Sequence, residues 1–347
     1  MPTATDGLGR TLELKRAARR VVSLVPSLTE AVAVFGKPAA LVGCTKFCDE
    51  PPDVVDGLRK LGGTKDPDVD AIVALEPDLV LANKEENRQE DVEALIAAGL
   101  NVYVGDARSV SSAIDELEQV TTLISAVPFR ALREMRAELD RQTQLSADRP
   151  RVRVFCPIWR SPYLAVGGNT YAGDVLRLVG AENVFEAHPS GSRYPQVSLA
   201  DIEAAAPDVI LLPSEPFHFR ERHRDEFLAL RSLPASQQDA VSLFDGRALT
   251  WYGPRITESL ATLEALVDQG RPDWEAPARE AKEEARDETP GGAPRSKRSG
   301  GYAPGRKAKP RSTPKPRRNP SPGAGNDLPP GLRLDLSQQD VIDEDGT

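Results

Sequence analysis

Residues 70–82 read DAIVALEPDLVLA, and residues 200–212 read ADIEAAAPDVILL. Ile72, Ala74, Pro77, Asp78 and Leu81 recur as Ile202, Ala204, Pro207, Asp208 and Leu211, an offset of 130 residues. In each copy an apolar-periodic helix ends before a proline, whose ring disfavours helical geometry in the residue ahead of it. An Asp follows in the turn, and a β-branched apolar run then reads as a buried strand. A helix leading into a buried strand is the signature of a parallel α/β sheet.

Nearly the same offset relates Val21-Val22-Ser23-Leu24 to Arg151-Val152-Arg153-Val154-Phe155, short strands that would each open one half. Two matched features at one spacing predict a duplicated chain. The expected architecture is therefore α/β, with two similar lobes holding parallel sheets: an N-terminal lobe over residues 1–125 and a C-terminal lobe over 151–272. Between them, in residues 126–150, Leu132, Met135 and Leu139 share a helix face with charges opposite. Pro128 suits a first helical turn. This predicts one long backbone helix spanning roughly 25–30 Å, a stiff connector that keeps domain closure small. Past Trp274 the pattern stops. Residues 273–347, rich in Pro, Lys and Arg, are expected to be a disordered tail, too poor in apolar groups to offset chain entropy.

The chain has 347 residues, 39% hydrophobic and 28% charged, with formal net charge -9. The charge is unevenly spread. Ten bases and no acid lie between Arg295 and Arg318, while the segments on either side of that block are acidic. The lobes are left acidic, which argues against a nucleic-acid-binding core. The basic block fits a solubilising tail, or a contact with nucleic acid, anionic lipid or an acidic protein.

Cys44, Cys48 and Cys156 are no disulfide framework and fit a reducing compartment. No partner pair follows Cys44 and Cys48, so no metal site is expected there. The first twenty residues hold no apolar signal region, and no run approaches a membrane span of ~18 residues. The expectation is a cytoplasmic protein as the sequence stands, or an extracytoplasmic one if the true start lies upstream.

Chemistry-bearing motifs point away from an enzyme. No GxGxxG, P-loop or GxSxG elbow is present. The histidines are His188, His218 and His223, the last two spaced wrongly for a same-face metal pair. No catalytic or metal residue and no catalytic cofactor is assigned.

Ligands of open α/β lobes bind beyond the carboxyl ends of strands, so the segments there are the candidate site. Ser27 and Glu30 read as a capping box, and Ser198-Leu199-Ala200-Asp201 has the same shape. Phe47, after the strand-like Leu41-Val42-Gly43, fits a core plug or a ligand platform. Leu61-Gly62-Gly63-Thr64 is a turn that permits close backbone approach. Asn83, Glu85 and Arg88 fit a solvated helix start or contacts to a ligand edge. Trp159 and Arg160 follow the first strand of the second half, Tyr194 sits in a Gly/Ser/Pro-rich loop, and Trp251, Tyr252 and Arg255 follow the strand-like Ala248-Leu249-Thr250. Each ring fits core packing by itself; together with Phe47 they point to an aromatic-lined pocket.

Several stretches resemble the Fe(III)-siderophore and cobalamin substrate-binding proteins of ABC importers, the helical-backbone class. These are Val22–Glu30, Asp49-Glu50-Pro51-Pro52, Ile72–Val80, Gly180–Phe185 with Tyr194–Ser198, and Trp251. The resemblance runs in order over about residues 8–270 and looks closest to the cobalamin-binding branch. It implies two lobes on a long helix, cobalamin, another corrinoid or an iron chelate in the cleft, and no catalysis. Of three positions that embrace the corrin in such relatives, two match as Phe47 and Tyr194, and the third falls at Thr64, which has no ring. The two acids that dock on an ABC permease fall at Asp70 and at Ala200, where Asp201 is the neighbour, so docking is weak. The expected protein is a monomer. Two alternatives stand beside this one: a cytosolic interaction protein working through its basic tail, and a ferric-siderophore receptor whose signal peptide was lost in start assignment.

Overall fold

The computed structural model describes residues 1–146, 148–271 and 273–274, so the expected disordered tail lies, but for its first two residues, outside them. The N-terminal sheet contains β1 (Val21–Ser23), β2 (Leu41–Cys44), β3 (Arg59–Lys60), β4 (Leu79–Asn83) and β5 (Val102–Gly105), in the order β3-β2-β1-β4-β5. The C-terminal sheet contains β6 (Val152–Phe155), β7 (Ala181–Asn183), β8 (Val209–Pro213) and β9 (Val241–Phe244), in the order β7-β6-β8-β9. Every pairing within these two sheets is parallel. Two small antiparallel additions flank them: the hairpin Thr3–Thr5 with Thr11–Glu13, and a three-stranded piece from Pro157–Trp159, Tyr163–Ala165 and Gln196–Val197.

Side-chain alternation puts helices on both faces of each sheet. Leu79 and Leu81 of β4 pack into one apolar cluster and Val80 and Ala82 into another. Val209 and Leu211 of β8 join that same first cluster, while Ile210 and Leu212 face a third. One apolar core thus runs without a break from lobe to lobe. The two-lobed α/β class read from the repeat is the fold observed.

The repeat is a structural unit. Its helices are α1 (Val69–Ala74) and α2 (Leu199–Ala205). Asp68 caps α1 by accepting from Ala71 N, and Ser198 caps α2 by accepting from Asp201 N, with Asp201 answering as a capping box. Each helix unwinds through a left-handed residue, Glu76 (φ 44°) or Ala206 (φ 43°). The Asp after each proline then ties back to the lobe's first strand. Asp78 N donates to Arg20 O and Asp208 N to Arg153 O, both at 2.8 Å.

The connecting helix is Phe129–Leu145, about 25 Å of rise, with Pro128 at its N-cap. Leu132 and Met135 are buried as expected, and two polar residues, Glu138 and Gln142, are buried beside them. Gln142 Nε2 donates to Glu264 at 3.0 Å, and the fully buried Arg149 pairs with Glu264 at 2.6 Å. The helix is therefore keyed to the C-terminal lobe by a polar cluster and packed on its neighbours through an apolar face.

Three local expectations are corrected. The helix Pro26–Val34 begins at the proline, so Ser27 lies inside its first turn and makes no cap; Glu30 is paired elsewhere. Residues 247–250 form a short helix, not a strand, because the chain turns back after β9. Trp159 lies within a strand, not in the loop beyond one.

Candidate functional site

In a parallel sheet the crevice opens where consecutive connections leave in opposite directions. Here that point lies between β1 and β4 in one lobe and between β6 and β8 in the other. Both crevices open on one cleft of about 530 Å³. Its lining comes from beyond all five N-terminal strands: Pro26, the Lys46–Asp49 loop, Thr64, the Asn83–Glu86 turn and Gly105–Ala107. Ile158, Glu215, Pro216 and the Arg247–Tyr252 segment face them from the other lobe, with Tyr171 and Tyr194.

The N-terminal wall is shaped by short polar side chains and glycines. Asn83 Oδ1 accepts from Glu86 N at 2.7 Å, and Asn87 Oδ1 accepts from Asn83 N at 2.9 Å. Asn87 Nδ2 also reaches Thr64 O (3.0 Å) and Leu24 O (3.3 Å), clamping three strand-end loops together. Gly62 holds φ 83°, and a Cβ there would meet Asp66 O at 2.3 Å; a Cβ on Gly63 would meet Phe47 Cε2 at 3.1 Å. Only glycines let that turn press against Phe47, whose ring remains 40% exposed.

The C-terminal wall is aromatic. The Tyr171 and Tyr252 rings pack 5.6 Å apart. Trp251 lies between two guanidinium groups, Arg247 at 4.9 Å and Arg255 at 5.1 Å, an arrangement that fixes its plane.

Four polar contacts join the walls. Arg255 forks onto Glu30 at 2.9 and 2.5 Å. Arg247 bonds Asp49 and, at 3.1 Å, Glu50. Glu85 accepts from Tyr194 Oη at 2.6 Å and pairs with Arg193 at 2.6 Å. Asn83 Nδ2 approaches Tyr252 Oη at 3.5 Å. Burial, with the Glu85 charge, raises the Tyr194 phenol well above its usual value. Burial likewise raises the Glu215 carboxyl, and it pushes Glu86 up to about 8 with Cys48 and Glu215 adding.

Of the residues expected at a ligand, Phe47, Thr64, Asn83, Glu85, Tyr194, Trp251 and Tyr252 line the cleft together. Four others do not. Arg88 turns to Asp91 and Glu90. Trp159 stacks edge-on against Phe217 at 5.3 Å. Arg160 pairs with Glu226 at 2.7 Å beside a separate groove. Arg255 sits behind Trp251 on Glu30, so its charge is already matched within the fold. Asp70 is exposed in the first turn of α1, while Asp201 is engaged by Ser198 Oγ at 2.7 Å.

The cleft also contains residues the sequence reading did not single out: Lys46, Asp49, Glu86, Asp106, Tyr171, Glu215 and Arg247. One carried a signal, since Glu215 stands 130 residues after Glu85. Below the Phe47 loop, Lys60 Nζ contacts Cys44 Sγ (3.5 Å) and Cys48 O (2.8 Å). The Cys48 hydrogen bond and Lys60 lower the Cys44 thiol to about 7, and Cys48 is raised in turn. Among the described residues no group of His, Cys, Asp and Glu is arranged to hold a metal ion, and no helix is long and apolar enough to cross a membrane.

A model of the periplasmic binding protein family matches residues 21–242. The vitamin B12-binding protein of Vibrio vulnificus is 27% identical over 195 residues, covering 56% of this chain and 70% of that relative. The crystal structure of the periplasmic vitamin B12 binding protein of Vibrio cholerae superposes with TM-score 0.63 at 22% identity, covering 73% of this chain and 98% of that one. The apo periplasmic heme-binding protein of Roseiflexus sp. RS-1 does so with TM-score 0.62 at 22% identity, covering 74% and 100%. At such identity these two structures speak for the fold.

Proposed function

The chain belongs to the periplasmic binding protein family, and on that premise we propose that it is a non-enzymatic receptor holding a corrinoid, cobalamin foremost, between its lobes. The observation that carries this reading is the cleft itself, formed at both topological switch points and flanked by Phe47, Tyr194 and Trp251. Broad, stiff rings with few polar anchors suit a large flat macrocycle. The curated relatives named for vitamin B12 support the same cargo.

The lining charges favour a corrinoid over a haem. The lining cations Lys46 and Arg247 are already paired, the one with Asp66 and the other with Asp49 and Glu50. A haem's propionates would have to compete for these two cations, whereas a corrin is rimmed by uncharged carboxamides. In this reading the receptor works in the periplasm and hands its cargo to an importer. Asp70 is then the better placed docking acid, because Asp201 is occupied by its own helix.

The test is a visible-spectrum and calorimetric titration with cobalamin, cobinamide, hemin and a ferric siderophore. One-to-one binding of both corrinoids is expected, and Phe47→Ala should weaken it roughly 3- to 10-fold, the worth of about 1 kcal/mol for a stacked ring. Binding of hemin or the siderophore with no corrinoid binding would overturn the reading.

A further inference from the structure

We propose that Glu86 is the residue that reads the ligand's rim, its carboxyl forming a paired hydrogen bond with a primary carboxamide. This rests on the corrinoid reading and adds to it a specificity-determining residue. The first support is position. Glu86 lies just past β4 at the switch point, its backbone N–H held by Asn83 Oδ1 at 2.7 Å, and it lines the cleft.

The second is that the other four cleft acids are already engaged. Asp49 has Arg247. Glu85 has Arg193 and Tyr194. Asp106 has Lys84 and Arg108. Glu215 accepts from Thr250 Oγ1 at 3.0 Å, with Arg247 at 3.9 Å. Glu86 forms an ion pair with no cation among the described residues.

The Asn83 side chain hydrogen-bonds the Glu86 carboxyl and Lys65 acts on it as a cation, but neither closes an ion pair with it. Glu85 shares its loop, Cys48 faces it from the loop after β2, and Glu215, Tyr194 and Tyr252 face it from the other lobe. Lys65 is anchored on Glu85 O at 3.0 Å. Partial burial, with the neighbouring acids adding, raises Glu86 to about 8, which favours the protonated acid at neutral pH.

An uncharged carboxyl presents one O–H donor and one C=O acceptor side by side. A primary carboxamide presents the complementary N–H and C=O, and the two close a ring of two hydrogen bonds. A ligand carboxylate can close only one of them. A macrocycle seated over the cleft removes the remaining water from Glu86, and an ionised carboxylate there would be left buried without a counter-ion. The ligand therefore binds the protonated form.

The experiment titrates the full chain with dicyanocobinamide from about pH 6 to about pH 9.5, for the wild type, Glu86→Gln and Glu86→Ala. Wild-type affinity should stay level to about pH 8 and then fall, by up to ~tenfold per pH unit for one linked proton. Glu86→Gln, itself a carboxamide, should keep the neutral-pH affinity within about threefold and remove the fall; Glu86→Ala should lose roughly 3- to 10-fold at neutral pH. A fall of unchanged size in Glu86→Gln, or wild-type affinity in Glu86→Ala, overturns the proposal while the receptor reading survives. A wild type that binds no corrinoid at any pH removes the receptor reading and the proposal with it.

Discussion

The two lobes repeat one backbone and furnish it with different side chains. Asp68 and Ser198 cap equivalent helices, Ile72 and Ile202 are both fully buried, and Glu76 and Ala206 both turn left-handed before a proline. Asp78 and Asp208 then bind the start of the neighbouring strand in the same way. Beyond the strand ends the likeness stops. The N-terminal lobe sends four acids, Lys46, Asn83 and a single ring, Phe47, into the cleft, and the C-terminal lobe sends four rings with Glu215 and Arg247. Helix, turn and strand must satisfy each other's backbone groups, which leaves little freedom. Loops past the strands are outside that backbone ladder, so they are free to differ.

The largest effect that would distinguish the lobes lies in the connecting helix, which only the C-terminal lobe holds through buried charge. Arg149→Met should lower unfolding stability by about 3 kcal/mol in urea titration, because it removes a fully buried partner of Glu264. A loss below about 1 kcal/mol would mean that the apolar face alone secures the helix.

Trp159→Ala should come next, costing ~1–2 kcal/mol through its lost contact with Phe217 while leaving cobinamide affinity unchanged. Weaker binding would show that this ring reaches the ligand after all.

The repeated caps should cost nearly alike. Asp68→Ala and Ser198→Ala are each expected to remove about 1 kcal/mol. A large inequality would mean that the capping box at Ser198, which Asp68 lacks, carries additional stability.

The last difference concerns pH. Burial pulls Asp78 upward, but the Arg19 and Arg20 N–H groups and Arg16 hold it below its usual 3.8. Its stabilisation is complete above that value and disappears as pH falls through the lower folded one. Glu86 has the opposite sign. Its folded value of about 8 exceeds the ordinary 4.5, so this group erodes stability as pH rises between those limits. Asp78→Asn should flatten the acid limb of the stability curve, and Glu86→Gln should flatten the decline toward pH 8.

Legibility followed the same division. The repeat exposed both lobes, and the face of Leu132 and Met135 exposed the connector, because burial leaves periodic marks in sequence. Phe47, Tyr194 and Trp251 were found because large rings in loops are conspicuous. Glu30, read as a cap, turned out to serve Arg255 across the lobes. No local pattern announces an ion pair 225 residues apart. Arg88 and Arg160 looked available and are matched by near neighbours on their own lobes.

By itself the sequence determined the α/β class, the duplication, the connecting helix and the loops that reach the cleft, since all of these follow from the spacing of apolar, proline and glycine residues. Tertiary structure decided which charges remain unmatched there. Asp49 and Glu85 find ion-pair partners and Glu215 the Thr250 hydroxyl, while Glu86 has the Asn83 side chain and no ion pair among the described residues. That outcome depends on distances of a few ångströms between segments far apart in the chain, across which electrostatics and desolvation change steeply.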